Sequence, residues 1–220
     1  WSHVAPLWAA CADAEKDYIT AEKEALPMSS KKVTLRAATP MVAVSRITHA
    51  LTWQRALFGA VEGDICKTYF KGTKYYQPRL YLYMDASPWG FGAFATWDGE
   101  PFAYLKGAWS QDDCNRFELI VGDCRGQAVW EALTILIALR TWREHWESEP
   151  LVVRVKSESQ AALGALEKQR STSPAINDIA REVALDHALC ATEPVLELVH
   201  VKGKHNEWAD ALSRYFQPGA

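Results

Sequence analysis

The sequence predicts an α/β fold: a five-stranded mixed sheet flanked by helices, preceded by an N-terminal helical extension. Three observations carry that reading. The aromatic, β-prone segments RLYLYMDA (79–86), WGFGAFATW (89–97) and EPFAYLKG (100–107) follow one another with Ser87-Pro88 and Asp98-Gly99 between them, the pattern of a three-stranded meander. LVVRVKS (151–157) has the unbroken apolar character of a central strand covered on both faces. Between these lies GQAVWEALTILIAL (126–139), a helix apolar all round, so that the element order βββαβααβα puts helices on both sides of one sheet.

The elements follow in order. Residues 1–26 read as a helix, amphipathic from Val4 through Leu7, Trp8 and Cys11, and broken by Pro27 and Ser29-Ser30. A second helix runs from about Pro40 to Val61, with Val44, Ile47, Leu51, Leu57 and Val61 near helical spacing, until Glu62-Gly63-Asp64 stops it. CKTYFKGTKYYQP (66–78) reads as a linker with some extended character. Its Lys/Tyr mixture can stack on and neutralise nucleic acid, although a solvated linker is the plainer reading. The chain therefore divides into a helical extension, 1–78, and a sheet-containing domain, 79–217.

In the second strand, Gly90 and Gly92 leave one face without side chains, open to another backbone, a ligand or a bulge. Residues 108–123 form a loop with a short helix, and the long apolar helix extends to about Trp146. ESQAALGALEKQ (158–169) is a short helix, and Ser173-Pro174 supplies the N-cap and first position of another that reaches about Cys190. VLELVHV (195–201) is the fifth strand, and His205-Asn206 opens a last helix containing Asp210.

Composition bounds the function. At 220 residues, 49% apolar and 23% charged, the chain can bury one full core, and no apolar run approaches a membrane-spanning length. Cys11, Cys66, Cys114, Cys124 and Cys190 lack metal-site or redox-pair spacing and suggest reduced thiols in an intracellular protein of nucleus or cytoplasm. The start at Trp1 suggests a piece of a longer polyprotein. Residues 1–78 hold ten Lys/Arg against seven Asp/Glu, net +3, and residues 79–220 hold fourteen against twenty, net −6. Bulk attraction for nucleic acid resides in the first part, and bound divalent cations would offset much of the second.

Glu131 is the one ionisable side chain in GQAVWEALTILIAL, where an unpaired carboxylate costs several kcal/mol unless a cation, hydrogen bonds or a raised pKa compensates. Asp85, Glu158 and Asp210 also sit at or near the ends of apolar elements, so four acids on four elements can meet in one place. Each has a purely structural alternative: Asp85 capping the turn at Ser87-Pro88, Glu158 in the first turn of the following helix, Asp210 solvated, Glu131 shielded by Arg125 or a neighbouring Trp. Trp130, Trp142 and Trp146 read as core, and base stacking is the minority reading for any of the ten tryptophans.

YMDASPWGFGA, GQAVWEALTILIALRTW, VRVKSESQAALGAL and HVKGKHNEWADALSR, in that order and spacing, resemble the ribonuclease H domain that ends the reverse transcriptases of LTR- or DIRS-like retrotransposons. The likeness spans about residues 79 to 215. Residues 1–78 resemble the thumb or connection region that precedes it. No Tyr-x-Asp-Asp-like strand pair occurs in the chain. The resemblance implies a four-carboxylate site, Asp85, Glu131, Glu158 and Asp210, holding two Mg2+ ions, with Mn2+ as a substitute. It also implies a catalytic His205 in the loop before the last acid, with His200 second, and an RNA–DNA hybrid as substrate. The chemistry suits the residues: two cations about 3.5–4 Å apart deliver hydroxide in line and shield the transition state, and Mg2+ takes hard oxygen ligands.

The third position departs from the family, which has Asp where this chain has Ser157-Glu158-Ser159. The extra methylene predicts a weakened ligand. The alternative function is a weakened or inactive domain kept as an architectural subunit, with protein partners on the N-terminal helices. A different nuclease or strand-transfer enzyme of the same fold is a third reading.

Overall fold

The structure is a computed structural model describing residues 44–60, 77–147, 151–188, 190 and 194–219. It divides into two compact units, Trp1–Asp64 and Ile65–Ala220. In the first unit, α1 (Val44–Ala60) realises the second expected helix. Leu51 and Phe58 on it are exposed. The helix expected over 1–26 and most of the linker at 66–78 lie outside the described residues.

In the second unit, β1 (Leu80–Ala86), β2 (Gly90–Trp97) and β3 (Glu100–Ala108) form the antiparallel meander. β4 (Val152–Ser157) joins β1 in parallel, and β5 (Val195–His200) joins β4 in parallel, giving the order β3-β2-β1-β4-β5. The helices are α2 (Gln111–Phe117), α3 (Gln127–Thr141), α4 (Gln160–Lys168), α5 (Pro174–Ala188) and α6 (Glu207–Arg214).

Period-two alternation sorts the two faces of the sheet. Leu80, Leu82 and Met84 of β1, Ala93 and Ala95 of β2 and Val153 and Val155 of β4 are fully buried with Ile135, Leu139 and Ile179 of the helices in one apolar core. Tyr81, Tyr83 and Asp85 alternate to the other side, where α6 lies against β1 and β2.

Three details differ from the sequence reading. The long helix stops at Thr141 rather than near Trp146. A 3-10 turn at Arg143–His145 folds the chain back, both Trp142 and Trp146 are buried, and the Trp146 indole N–H donates to Leu139 O at 3.0 Å, satisfying a carbonyl that a helix end leaves open. The strand irregularity falls between Ala95 and Thr96, not at Gly90 or Gly92. Ser159 is the N-cap of α4, its Oγ accepting from Ala162 N at 3.2 Å, which leaves Glu158 ahead of the helix instead of in its first turn.

Candidate active site

The four acids are placed by four elements around the carboxyl ends of β1 and β4. Glu131 comes from α3, where its neighbours Trp130, Ala132 and Ile135 are fully buried and its own residue is 5% exposed. Its Oε2 accepts from Ser157 Oγ at 3.2 Å and its Oε1 from Gln127 Nε2 at 3.3 Å. Gln127 also donates to Ala86 O, tying α3 to the end of β1. Arg125, the shield considered from sequence, pairs with Asp123 at 2.6 Å. Burial first, and the nearby Asp85 and Glu158 charges after it, push the Glu131 carboxyl up to about 8 against the two hydrogen bonds.

Asp85, 6% exposed, is the last residue but one of β1. It does not cap the turn: Ser87 does, with Ser87 N donating to Gly90 O at 2.8 Å and Gly90 N to Ser87 Oγ at 3.2 Å. Asp85 Oδ2 instead accepts from Ser213 Oγ at 2.6 Å. Burial lifts its carboxyl to about 6; Ser213 and Arg214 oppose the rise, while Asp210 and Glu158 add to it.

Asp210 reaches this end of the sheet because α6 sits almost directly on β2. A Cβ on Gly92 would lie 2.4 Å from Leu212 Cβ and 2.6 Å from Ala209 O, so the glycine anticipated as an open face is where another backbone approaches. Both ends of α6 are pinned: Asn206 Nδ2 donates to Met84 O at 3.0 Å, and Ser87 Oγ to Ser213 O at 2.7 Å. Asp210 Oδ1 accepts from Arg214 Nε at 2.6 Å and is not simply solvated.

Glu158 leans against the loop before α6, with Oε2 3.1 Å from where a Cβ on Gly203 would stand. His205 ends the 3-10 turn Gly203–His205 in that loop, is exposed, and borders a hollow with Tyr83, Phe94 and Trp208. His200, the second candidate, is exposed at the end of β5.

Asp85, Glu131, Glu158 and Asp210 are therefore neighbours in one electrostatic group, since Asp85 feels Asp210 and Glu158, and Glu131 feels Asp85 and Glu158. Among the described residues, no three His, Cys, Asp or Glu side chains close into a group that could hold a metal ion. The donor set itself suits a hard divalent cation: all oxygen, with two buried carboxylates of which only Asp85 feels a nearby cation, Arg214.

Ser213, Ser157, Gln127 and Arg214 were not read as site residues from sequence. Two signals for them existed. Gln127 precedes Glu131 by one helical turn, and Ser213 and Arg214 follow Asp210 by three and four residues on the same helix face.

A five-stranded sheet of this order, with β2 antiparallel, β4 and β5 parallel to β1 and an acid at the end of each central strand, has the ribonuclease H-like fold. No protein-family profile and no curated protein matches the chain. Among solved structures, it is similar to RNase H1 from the halophilic archaeon Halobacterium salinarum at 16% identity and TM-score 0.45, covering 64% of this chain and 97% of that one. LC11-RNase H1 in complex with an RNA/DNA hybrid matches at 16% identity and TM-score 0.47, covering 60% and 91%. A foamy viral protease-reverse transcriptase in complex with dsDNA matches at 12% identity and TM-score 0.33, covering 85% of this chain and 34% of that one. Among the described residues, no helix is long and apolar enough to cross a membrane.

Proposed function

We propose that residues 79–217 are a ribonuclease H-like nuclease domain that hydrolyses the RNA strand of RNA–DNA hybrids with two divalent cations, and that it derives from a retroelement reverse transcriptase. The observation that carries this reading is the pair Asp85 and Glu131: two carboxyls almost wholly buried, each raised by burial and by other acids of the same group. A fold keeps such a pair ionised only at a cost, which a bound cation would remove.

Asp85, Glu131, Glu158 and Asp210 would hold the cations. When bound, these would supply the in-line hydroxide and shield the charge on the reacting phosphate. The protein's own part is positioning. Ser213 fixes the Asp85 carboxyl, Ser157 and Gln127 fix Glu131, and Asn206 and Ser87 fix the helix that carries Asp210. His205 would serve the departing product, and backbone shape and 2′-hydroxyls would select the hybrid.

A second reading is supported by specific contacts. Asp210 already has a cation in Arg214, Glu158 replaces the family's Asp, and no three acids close tightly among the described residues. On that reading the fold is retained as an architectural subunit and the chemistry has decayed.

Cleavage of a labelled RNA–DNA hybrid in Mg2+ and in Mn2+ separates the two. A nuclease cuts the RNA strand, loses activity in Asp85→Asn and gains it in Glu158→Asp. Absence of cutting in both parent and Glu158→Asp, with the fold intact, leaves the architectural reading standing.

A further inference from the structure

On the α6 side of the sheet, aromatic rings and cations form a strip that the carboxylate site does not use. Tyr83 stacks on Phe94 with ring centroids 4.4 Å apart and planes 6° from parallel, and Phe94 meets Trp208 at 5.3 Å. Lys156 Nζ lies 4.3 Å from the Tyr83 ring centroid and 5.1 Å from that of Tyr81, while donating to Tyr83 OH at 2.7 Å. The Arg154 guanidinium lies 5.5 Å from the Tyr81 ring.

Three hollows run side by side along this strip and share their walls. The first, about 500 Å3, is bordered by Phe94, Tyr104, Trp208 and Leu212. The second, about 370 Å3, is bordered by Tyr83, Phe94, Lys204 and Trp208. The third, about 330 Å3, is bordered by Tyr81, Tyr83 and Pro78. Trp208 is 61% exposed and Tyr104 70%, so two large rings stand in solvent at one end.

The charges on the strip select the occupant. Among the described residues, no carboxylate pairs with Lys156 or Lys204, whereas the acids beside them are largely spent: Asp98 on Arg79 at 2.7 Å and Glu197 on Arg154 at 2.6 Å. Glu207 is the acid on the second hollow. Flat rings spaced along a row, with ammonium groups between them, match unstacked bases joined by phosphates, whereas a duplex keeps its bases stacked inside.

We propose that this strip is a docking surface for single-stranded nucleic acid, with bases stacking on the exposed rings of Tyr104 and Trp208 and phosphates against Lys156 and Lys204. It does not depend on cleavage, because none of these groups belongs to the carboxylate cluster.

The test uses the whole chain in excess chelator, which silences any metal chemistry, and a fluorescein-labelled oligothymidine of about 20 nucleotides read by anisotropy. The parent binds with quenching of tryptophan fluorescence. Trp208→Ala and Tyr104→Ala, checked for unchanged thermal unfolding, each weaken binding about 5- to 100-fold, the loss of one stacked base. Glu207→Gln tightens it, and heparin, a polyanion without bases, competes far less well than unlabelled oligothymidine. The proposal is overturned by an unbound oligonucleotide, by equal binding in the two aromatic variants, or by heparin competing as well as the oligonucleotide. A parent dimer that both variants dissolve in gel filtration overturns it too, by making the strip an interface between copies.

Discussion

Ser213 Oγ donates to Asp85 Oδ2 at 2.6 Å across 128 positions of sequence, joining the last helix to the first strand at the point where the acids gather. The bond favours the charged form of a carboxyl that burial raises to about 6. Ser213→Ala removes the donor and leaves Asp85 with a higher pKa, visible in the carboxyl carbon shift during an NMR titration. It also destabilises the domain by about 1–2 kcal/mol. Ser213→Thr, which keeps a hydroxyl, restores the titration. An unmoved Asp85 titration in Ser213→Ala means that the contact does not set its charge.

Gly92→Ala tests how α6 is seated. Its Cβ would come within 2.6 Å of Leu212 Cβ, Ser213 N and Ala209 O, two of them backbone atoms that cannot swing aside. The helix must lift, and overpacking of this kind costs about 1–3 kcal/mol, a fall of several degrees in Tm. The same substitution at Gly164, whose Cβ would meet nothing within 4 Å, is the control and leaves Tm level or higher.

The raised carboxyls fix a pH dependence. Both Asp85 and Glu131 have folded pKa values above their ordinary ones, at about 6 and about 8, so the fold favours their protonated forms. The stability they contribute is complete below the ordinary carboxylate range and is lost as pH rises through about 6 and then about 8. Glu131→Gln takes away the upper part of that loss. Urea unfolding at pH 5, 7 and 8.5 should give a parent curve that falls with pH, and a variant that matches it at pH 5 and is more stable by about 1–3 kcal/mol at pH 8.5. Parallel curves across that range contradict the raised Glu131.

The sheet was legible because its aromatic and apolar runs have a period that admits one reading, and the turn residues at Ser87-Pro88 and Asp98-Gly99 set its hairpins. Glu131 and Asp85 were legible for the opposite reason: each is a charge in a setting that rejects charge. What the sequence hid was set by tertiary contacts. The end of α3 at Thr141 is decided by Trp146 reaching Leu139 O, and periodicity alone carries the pattern on to Trp146. Ser157, Gln127 and Ser213 look like ordinary polar residues until the strands they face are known. His205 was chosen for its place before Asp210, yet its exposed ring borders the aromatic strip.

Arg214 distinguishes a site awaiting cations from one that has replaced them. Its Nε holds Asp210 Oδ1 at 2.6 Å, and its charge lowers Asp85 as well. Since Asp210 is half-exposed, the ion pair alone adds little stability, and Arg214→Gln should leave Tm in the absence of metal within a degree or two. Its effect on cations is larger, because a positive charge beside an acidic cluster repels an incoming divalent ion. Arg214→Gln should therefore strengthen Mn2+ binding about 3- to 10-fold, read as a larger Tm rise at the same Mn2+ concentration or directly by calorimetry. Asp210→Asn in the same background should abolish the gain, since the released carboxylate is then missing. If neither parent nor Arg214→Gln responds to Mn2+, the acids do not form a cation site even without the arginine, and the architectural reading takes precedence over the nuclease.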